Sequence, residues 1–320
     1  MSQLIDSLEH LMAGLVLLLL LALAGCVGVL LALLLAAARG GTTADAPAVT
    51  RAARRHETLV SLGATATSVL VALAVVGSSD VVWTSTYEPL PAAPGVLAYT
   101  APFLAAVVFA AVRALGETSW PRPRGAVRSA PLARRTVRDL GGRRLVALLG
   151  TVAAGLVAVV VLGVTAAPDG RSVAHPPVLD AAGRVVGTGA SGPYPGWPFG
   201  VPVAVALLLA LGAALVALRV ITRRPPLPVL PAAHDDVIRR TSAARVLAGV
   251  QAWTGSALGL MLLVAAAALA NAEHPAGSAA AAAAGVAFLV VSLGLAGSAV
   301  PARRFTPAAA AGDRVRGVAA

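Results

Sequence analysis

Seven long apolar stretches alternate with short polar segments along the chain, at about 12–38, 59–77, 95–115, 145–166, 199–221, 246–270 and 278–299. A helix needs about 20 apolar residues to cross a hydrocarbon core about 30 Å thick. Each stretch is therefore expected to be a membrane span, and the fold class is an all-α bundle of seven transmembrane helices. The first stretch is overlong, which implies tilt or an interfacial end. Met1 to Leu11 hold Asp6 and Glu9 but no arginine, and the run that follows far exceeds the apolar region of a signal peptide. An uncleaved first helix is the expectation. One membrane domain then covers residues 1–301. The remainder, 302–320, is a charged, small-residue cytoplasmic tail with no periodicity, expected to be flexible.

The polar segments give an orientation. Those after the first, third and fifth stretches, with the tail and with Arg113 and Arg219 at adjoining span ends, hold 23 arginines; the opposite side holds two, Arg171 and Arg184. The 14 acids divide evenly, seven to a side, so the asymmetry is one of arginine. Basic loops stay in the cytoplasm, which predicts an outside N-terminus and a cytoplasmic C-terminus. Trp83, Tyr87, Tyr99, Tyr194 and Trp197 then fall near the outer interface, where amphipathic rings prefer to sit. Arg113 and Arg219 fall near cytoplasmic span ends, where long side chains can snorkel to water. His234 to Arg240 reads as a short amphipathic helix on the inner leaflet.

Composition agrees. Of 320 residues, 58% are hydrophobic and 12% charged, and mean hydropathy is +0.83; a soluble domain carries about 25% charged residues. The net charge of +11 would suggest nucleic acid in a soluble protein. Here the arginines flank apolar spans, so contact with anionic lipid headgroups is expected and nucleic acid is not. The chain has no lysine, which excludes a retinal or pyridoxal Schiff base and a P-loop. Abundant alanine and arginine without lysine suggest a GC-rich bacterial genome, and hence the bacterial cytoplasmic membrane. The lone Cys26 excludes an internal disulfide and a CxxC metal site.

The largest outer loop, 167–198, carries two short apolar arms around Asp180-Ala181-Ala182-Gly183-Arg184, a plausible β-hairpin. Pro193, Tyr194, Pro195, Trp197 and Pro198 follow, suited to a rigid cap over the fifth span or to a partner-docking surface. The second, fourth and sixth stretches open alike, at Arg55, Arg144 and Arg245, and each following stretch exits through arginine near proline. One leading helix plus three hairpins of a common orientation would produce this layout.

Ionisable groups within spans are functional by default, and the apolar stretches hold essentially none. A carboxylate proton relay is therefore disfavoured. The sixth stretch offers Gln251, Trp253, Thr254 and Ser256, which either line a path for a neutral substrate or hydrogen-bond between helices. Gly255 and Gly259 lie on one helix face and suit close packing against another span. On the outer side, Asp80, Asp169, His175, Asp180 and Glu273 could gather into a surface site, although none has metal-ligand spacing. No catalytic or cofactor motif is present, and no cofactor or metal is expected. Three readings follow in order: a non-enzymatic membrane component (assembly subunit, anchor or sensor) acting through a membrane-protein partner; a carrier or channel for a neutral or lipid-like substrate; and an enzyme of the outer surface.

Overall fold

The computed structural model of the chain describes residues 48–77, 95–119, 136–225 and 232–299, with side chains described from 55 in the first segment and from 235 in the last. The first apolar stretch, Asp80, Trp83, Tyr87 and the tail 302–320 lie outside the described residues. Six helices are long and apolar enough to cross a membrane: α1 (Ala48–Gly77), α2 (Val96–Thr118), α3 (Val137–Thr165), α4 (Trp197–Arg223), α5 (Ala232–Asn271) and α6 (Pro275–Gly297). Among the described residues the chain is a mostly helical, multi-pass membrane protein.

Local chemistry explains the helix ends. Thr136 and Asp139 form a capping box: Asp139 N–H donates to Thr136 Oγ1 at 3.2 Å and Thr136 N–H to Asp139 Oδ2 at 3.0 Å. Near the start of α3, Gly142 adopts φ 47°, ψ −138° and kinks the helix, a conformation that glycine reaches without a Cβ clash. Pro198 occupies the first turn of α4, where a missing N–H costs nothing.

Helix α5 is the centre of the bundle. Every residue from Val246 to Gly259 is buried, enclosed by α2, α3, α4 and α6, while α1 packs on α2. A hydrophobic driving force between helices is weak in lipid, so small residues that admit close approach carry the packing. Accordingly α4 buries Ala206, Ala210, Ala214 and Ala217, and its neighbour α2 buries Ala101, Ala105, Ala106 and Ala110. Between α5 and α6, a Cβ on Gly259 would lie 2.8 Å from the Gly285 carbonyl, and one on Gly285 would lie 2.8 Å from that of Gly259. The two glycines let these backbones touch, and the face of Gly255 and Gly259 packs inside the chain. The outer faces keep Leu59, Leu70 and Leu73 of α1 and Val286, Val290 and Val291 of α6 exposed, as a lipid-facing surface requires.

Helices α1, α3 and α5 begin 8 to 14 residues before the apolar stretches they contain. At 1.5 Å per residue, the 40 residues of α5 run about 60 Å, about twice the hydrocarbon thickness. The stretch from His234 to Arg240 is therefore the first turns of α5. One face of it is turned inward, with Asp235 and Arg239 1% and 0% exposed, while Val237 and Arg240 stay exposed.

At the other end, residues 167–196 form a nested pair of antiparallel ladders. β1 (Val173–Ala174) pairs with β4 (Ala190–Ser191), and within that stem β2 (Val178–Leu179) pairs with β3 (Val185–Gly187). The stem is tied to the helices. Tyr194 is buried, its N–H donates to the Arg171 carbonyl at 2.7 Å, and its hydroxyl meets Thr165 Oγ1 at 2.6 Å. His274, after α5, meets the Ala174 carbonyl at 2.8 Å.

Candidate functional site

Two polar assemblies stand inside the bundle: a tie in the middle of α5 and a layer of ion pairs at its arginine-rich end. In the tie, Gln251 Nε2 donates to Thr151 Oγ1 of α3 at 2.8 Å and to Ser292 Oγ of α6 at 2.9 Å. One amide thus joins three helices. Thr254 donates to the Val250 carbonyl one turn back, at 2.8 Å. Gln251 Oε1, Trp253 Nε1 and Ser256 Oγ are buried and have no partner among the described residues. Orphaned buried polar atoms are rare in folded proteins, so this part of α5 is short of hydrogen-bond partners.

The outer set behaves differently. Asp169 closes its own turn, accepting from the Arg171 and Ser172 N–H groups at 3.0 and 3.1 Å and from Ser172 Oγ at 2.8 Å. Partial burial raises its pKa, but these three donors outweigh it and hold the carboxyl below the usual range. Asp180 caps the β2–β3 turn. The Arg184 N–H, with the Arg184 guanidinium and the Ala182 N–H, holds its carboxyl down as well. His175 Nε2 faces Ser191 Oγ across the stem at 3.1 Å. Glu273 is exposed in the α5–α6 turn at φ 61°. Asp169, Asp180 and His175 each serve a local turn or strand pair. Among the described residues no three His, Cys, Asp or Glu side chains gather as a metal site would require. Asp80 lies outside the described residues.

The ion-pair layer was not foreseen. It forms where the first turns of α1 and α5 meet the last turns of α2 and α4. Glu57 is its hub: Arg113 Nη2 and Arg245 Nη1 both donate to Glu57 Oε1 at 2.8 Å. Arg113 Nη1 also donates to Ser61 Oγ at 2.7 Å. Arg113 is 1% exposed and does not snorkel; a carboxylate and a hydroxyl on α1 replace the water it was expected to reach. A second group follows: Arg224 Nη1 meets Glu117 Oε2 at 3.0 Å, Arg224 Nη2 lies 3.6 Å from Asp235, and Arg239 Nε meets Asp235 Oδ2 at 2.7 Å. Arg219, by contrast, is exposed as expected.

The layer therefore holds four arginines and three carboxylates, six of the seven buried or nearly so. Desolvating such charges costs several kcal/mol per ion, by order of magnitude, and is offset only where pairing is close. The pairing here crosses between helices, so it fixes which helix ends sit together. Compared with protein-family models, curated proteins and solved structures, this chain matches none.

Proposed function

We propose that this multi-pass membrane protein is a non-enzymatic component that acts through a membrane-protein partner docked on its loop end. The proposed arrangement has an outside N-terminus, a cytoplasmic C-terminus and the stretch 12–38 as a seventh span, in a bacterial cytoplasmic membrane. One observation carries the partner reading. The β2–β3 hairpin stands on a stem anchored by Tyr194 and His274, yet exposes Val178, Leu179, Val185 and Val186, each more than half accessible. Four apolar side chains on an ordered projection form the kind of patch that marks an interaction surface. The test is purification of the full chain from native membranes with a photo-cross-linker at Val186. A stoichiometric adduct, lost when Val178→Ser and Val185→Ser are combined, is the expected result. A chain that emerges alone and is unchanged by the double substitution would sink the reading. Orientation is tested separately, by labelling Ala182→Cys and Ala232→Cys in a Cys26→Ala background. Labelling at 232 from outside intact cells would reverse it.

A second reading, a carrier for a neutral or lipid-like substrate, is favoured by the three orphaned polar atoms of Gln251, Trp253 and Ser256. A small neutral ligand with both a donor and an acceptor would satisfy them. Its test is uptake into vesicles by cells or liposomes carrying Trp253→Phe and Ser256→Ala. Uptake equal to the parent chain removes the support.

A further inference from the structure

A groove of about 250 Å³ opens at the arginine-rich end, between the first turns of α3, the first turns of α5 and the end of α6. Its polar lining is Arg144, Arg240, Thr241 and Ser298, and its apolar lining includes Val237 and Ala244. We infer that this groove binds the phosphate of an anionic membrane lipid, with Arg240 as the charged contact and Arg144 as its support. The inference rests on the membrane location of the chain and not on the partner reading.

The argument begins with what each group is already doing. Arg144 is committed: Nη1 donates to the Leu295 carbonyl at 2.7 Å and Nη2 to Ser298 Oγ at 3.1 Å. With the Ser298 hydroxyl, which also donates to Leu295 at 2.8 Å, it neutralises the carbonyl end of α6 that would otherwise repel an anion. Arg240 is exposed and, among the described residues, makes no hydrogen bond or ion pair. Asp139 feels the Arg240 charge, and that carboxylate is already engaged by the Thr136 hydroxyl and N–H; Asp236, one turn before Arg240 on α5, has contacts of its own. A guanidinium with an open fork beside an excess of positive charge suits a phosphate. Val237 and Ala244 complete the groove with apolar wall, which a free inorganic ion does not use and an acyl glycerol does. Basic pockets between transmembrane helices are where anionic headgroups dock.

The experiment is native mass spectrometry of the delipidated full chain with added phosphatidylglycerol or phosphatidylcholine. The expected result is one phosphatidylglycerol retained, with phosphatidylcholine lost. Arg240→Gln should lower retention about fivefold, Arg240→Lys should keep most of it, and Arg223→Gln, an exposed arginine outside the groove, should leave it unchanged. Unaltered elution and thermal midpoint of Arg240→Gln would establish that the fold is intact. Equal retention in Arg240→Gln and the parent, or equal losses in Arg240→Gln and Arg223→Gln, would overturn the site. Binding of inorganic phosphate alone, with displacement of the lipid by excess phosphate, would overturn the lipid as ligand.

Discussion

Arg239 of α5 donates from Nη1 to the Ile221 carbonyl of α4 at 2.8 Å, two residues before that helix ends. The same offset recurs twice. His56 of α1 meets the Gly116 carbonyl at 3.0 Å, two residues before the end of α2, and Arg144 of α3 meets Leu295 at 2.7 Å, two before the end of α6. The last carbonyls of a helix lack partners along the chain and carry the negative end of its dipole. In each case a basic side chain from the opening turns of an odd-numbered helix fills that need. The three contacts tie α1 to α2, α3 to α6 and α5 to α4 at one end of the bundle.

The three contacts differ in burial, so their removal should differ in cost. Arg239→Ala removes the 2.7 Å partner of a buried Asp235 and the bond to the Ile221 carbonyl, and is expected to destabilise the chain by about 3 to 5 kcal/mol. Arg144→Ala loses a partly exposed bond and is expected to cost about 1 kcal/mol. Reversible unfolding in mixed micelles reads both, and equal costs would refute the ranking.

The Glu57 hub predicts strong non-additivity. Glu57→Leu leaves Arg113 buried without its carboxylate, and Arg113→Met leaves Glu57 with Arg245 and the Ser242 hydroxyl. Each single change is expected to cost about 3 to 5 kcal/mol, while the double variant should cost less than either. Additive losses in a double-mutant cycle would mean the two side chains do not act as a pair.

At the α5–α6 contact, Gly259→Ala drives a methyl against the Gly285 carbonyl and should cost about 1 to 3 kcal/mol through displaced backbone. Gly294→Ala meets open space within the same helix pair and should be neutral or stabilising by up to about 1 kcal/mol. The two midpoints, measured side by side, separate close packing from a general tolerance of alanine.

The loop should loosen in acid. Asp169 is held below its ordinary pKa in the folded loop, so its contribution is complete at neutral pH. It begins to fade as pH falls through the unfolded value near 3.8 and is lost below the depressed folded value. Amide-exchange protection at Arg171 and Ser172, corrected for intrinsic rate, is expected to fall below about pH 4. Asp169→Asn should show weaker protection already at pH 7 and little further change. A flat profile in the parent chain would remove Asp169 from the anchoring of the loop.

The apolar stretches were legible because bilayer thickness imposes a length that hydropathy reads directly. The helix ends were not, because hydropathy measures what faces hydrocarbon. Residues 48–58 and 232–245 continue their helices through polar sequence, held by partners on other helices. The ion-pair layer escaped for a related reason. Orientation counting weighs arginines and gives acids little weight, so Glu57, Glu117 and Asp235 enter it only as three of the seven acids on the arginine-rich side. Their signal lay in position: Glu57 and Glu117 sit two residues from a span end, and Arg113–Glu117 and Asp235–Arg239 have the four-residue spacing of neighbours on one helix face. Gln251 and Thr254 are buried, but one sequence does not say which helix a side chain faces.

The length of α5 has a mechanical consequence. Its opening turns carry Asp235, Arg239 and Arg245, and its final turn leads into His274, which holds the β1–β4 stem. A single stiff rod, enclosed along its middle third, thus joins the two faces of the membrane. A rotation imposed at the hairpin would act on a rod whose charged turns lie about 40 to 55 Å away along one unbroken helix.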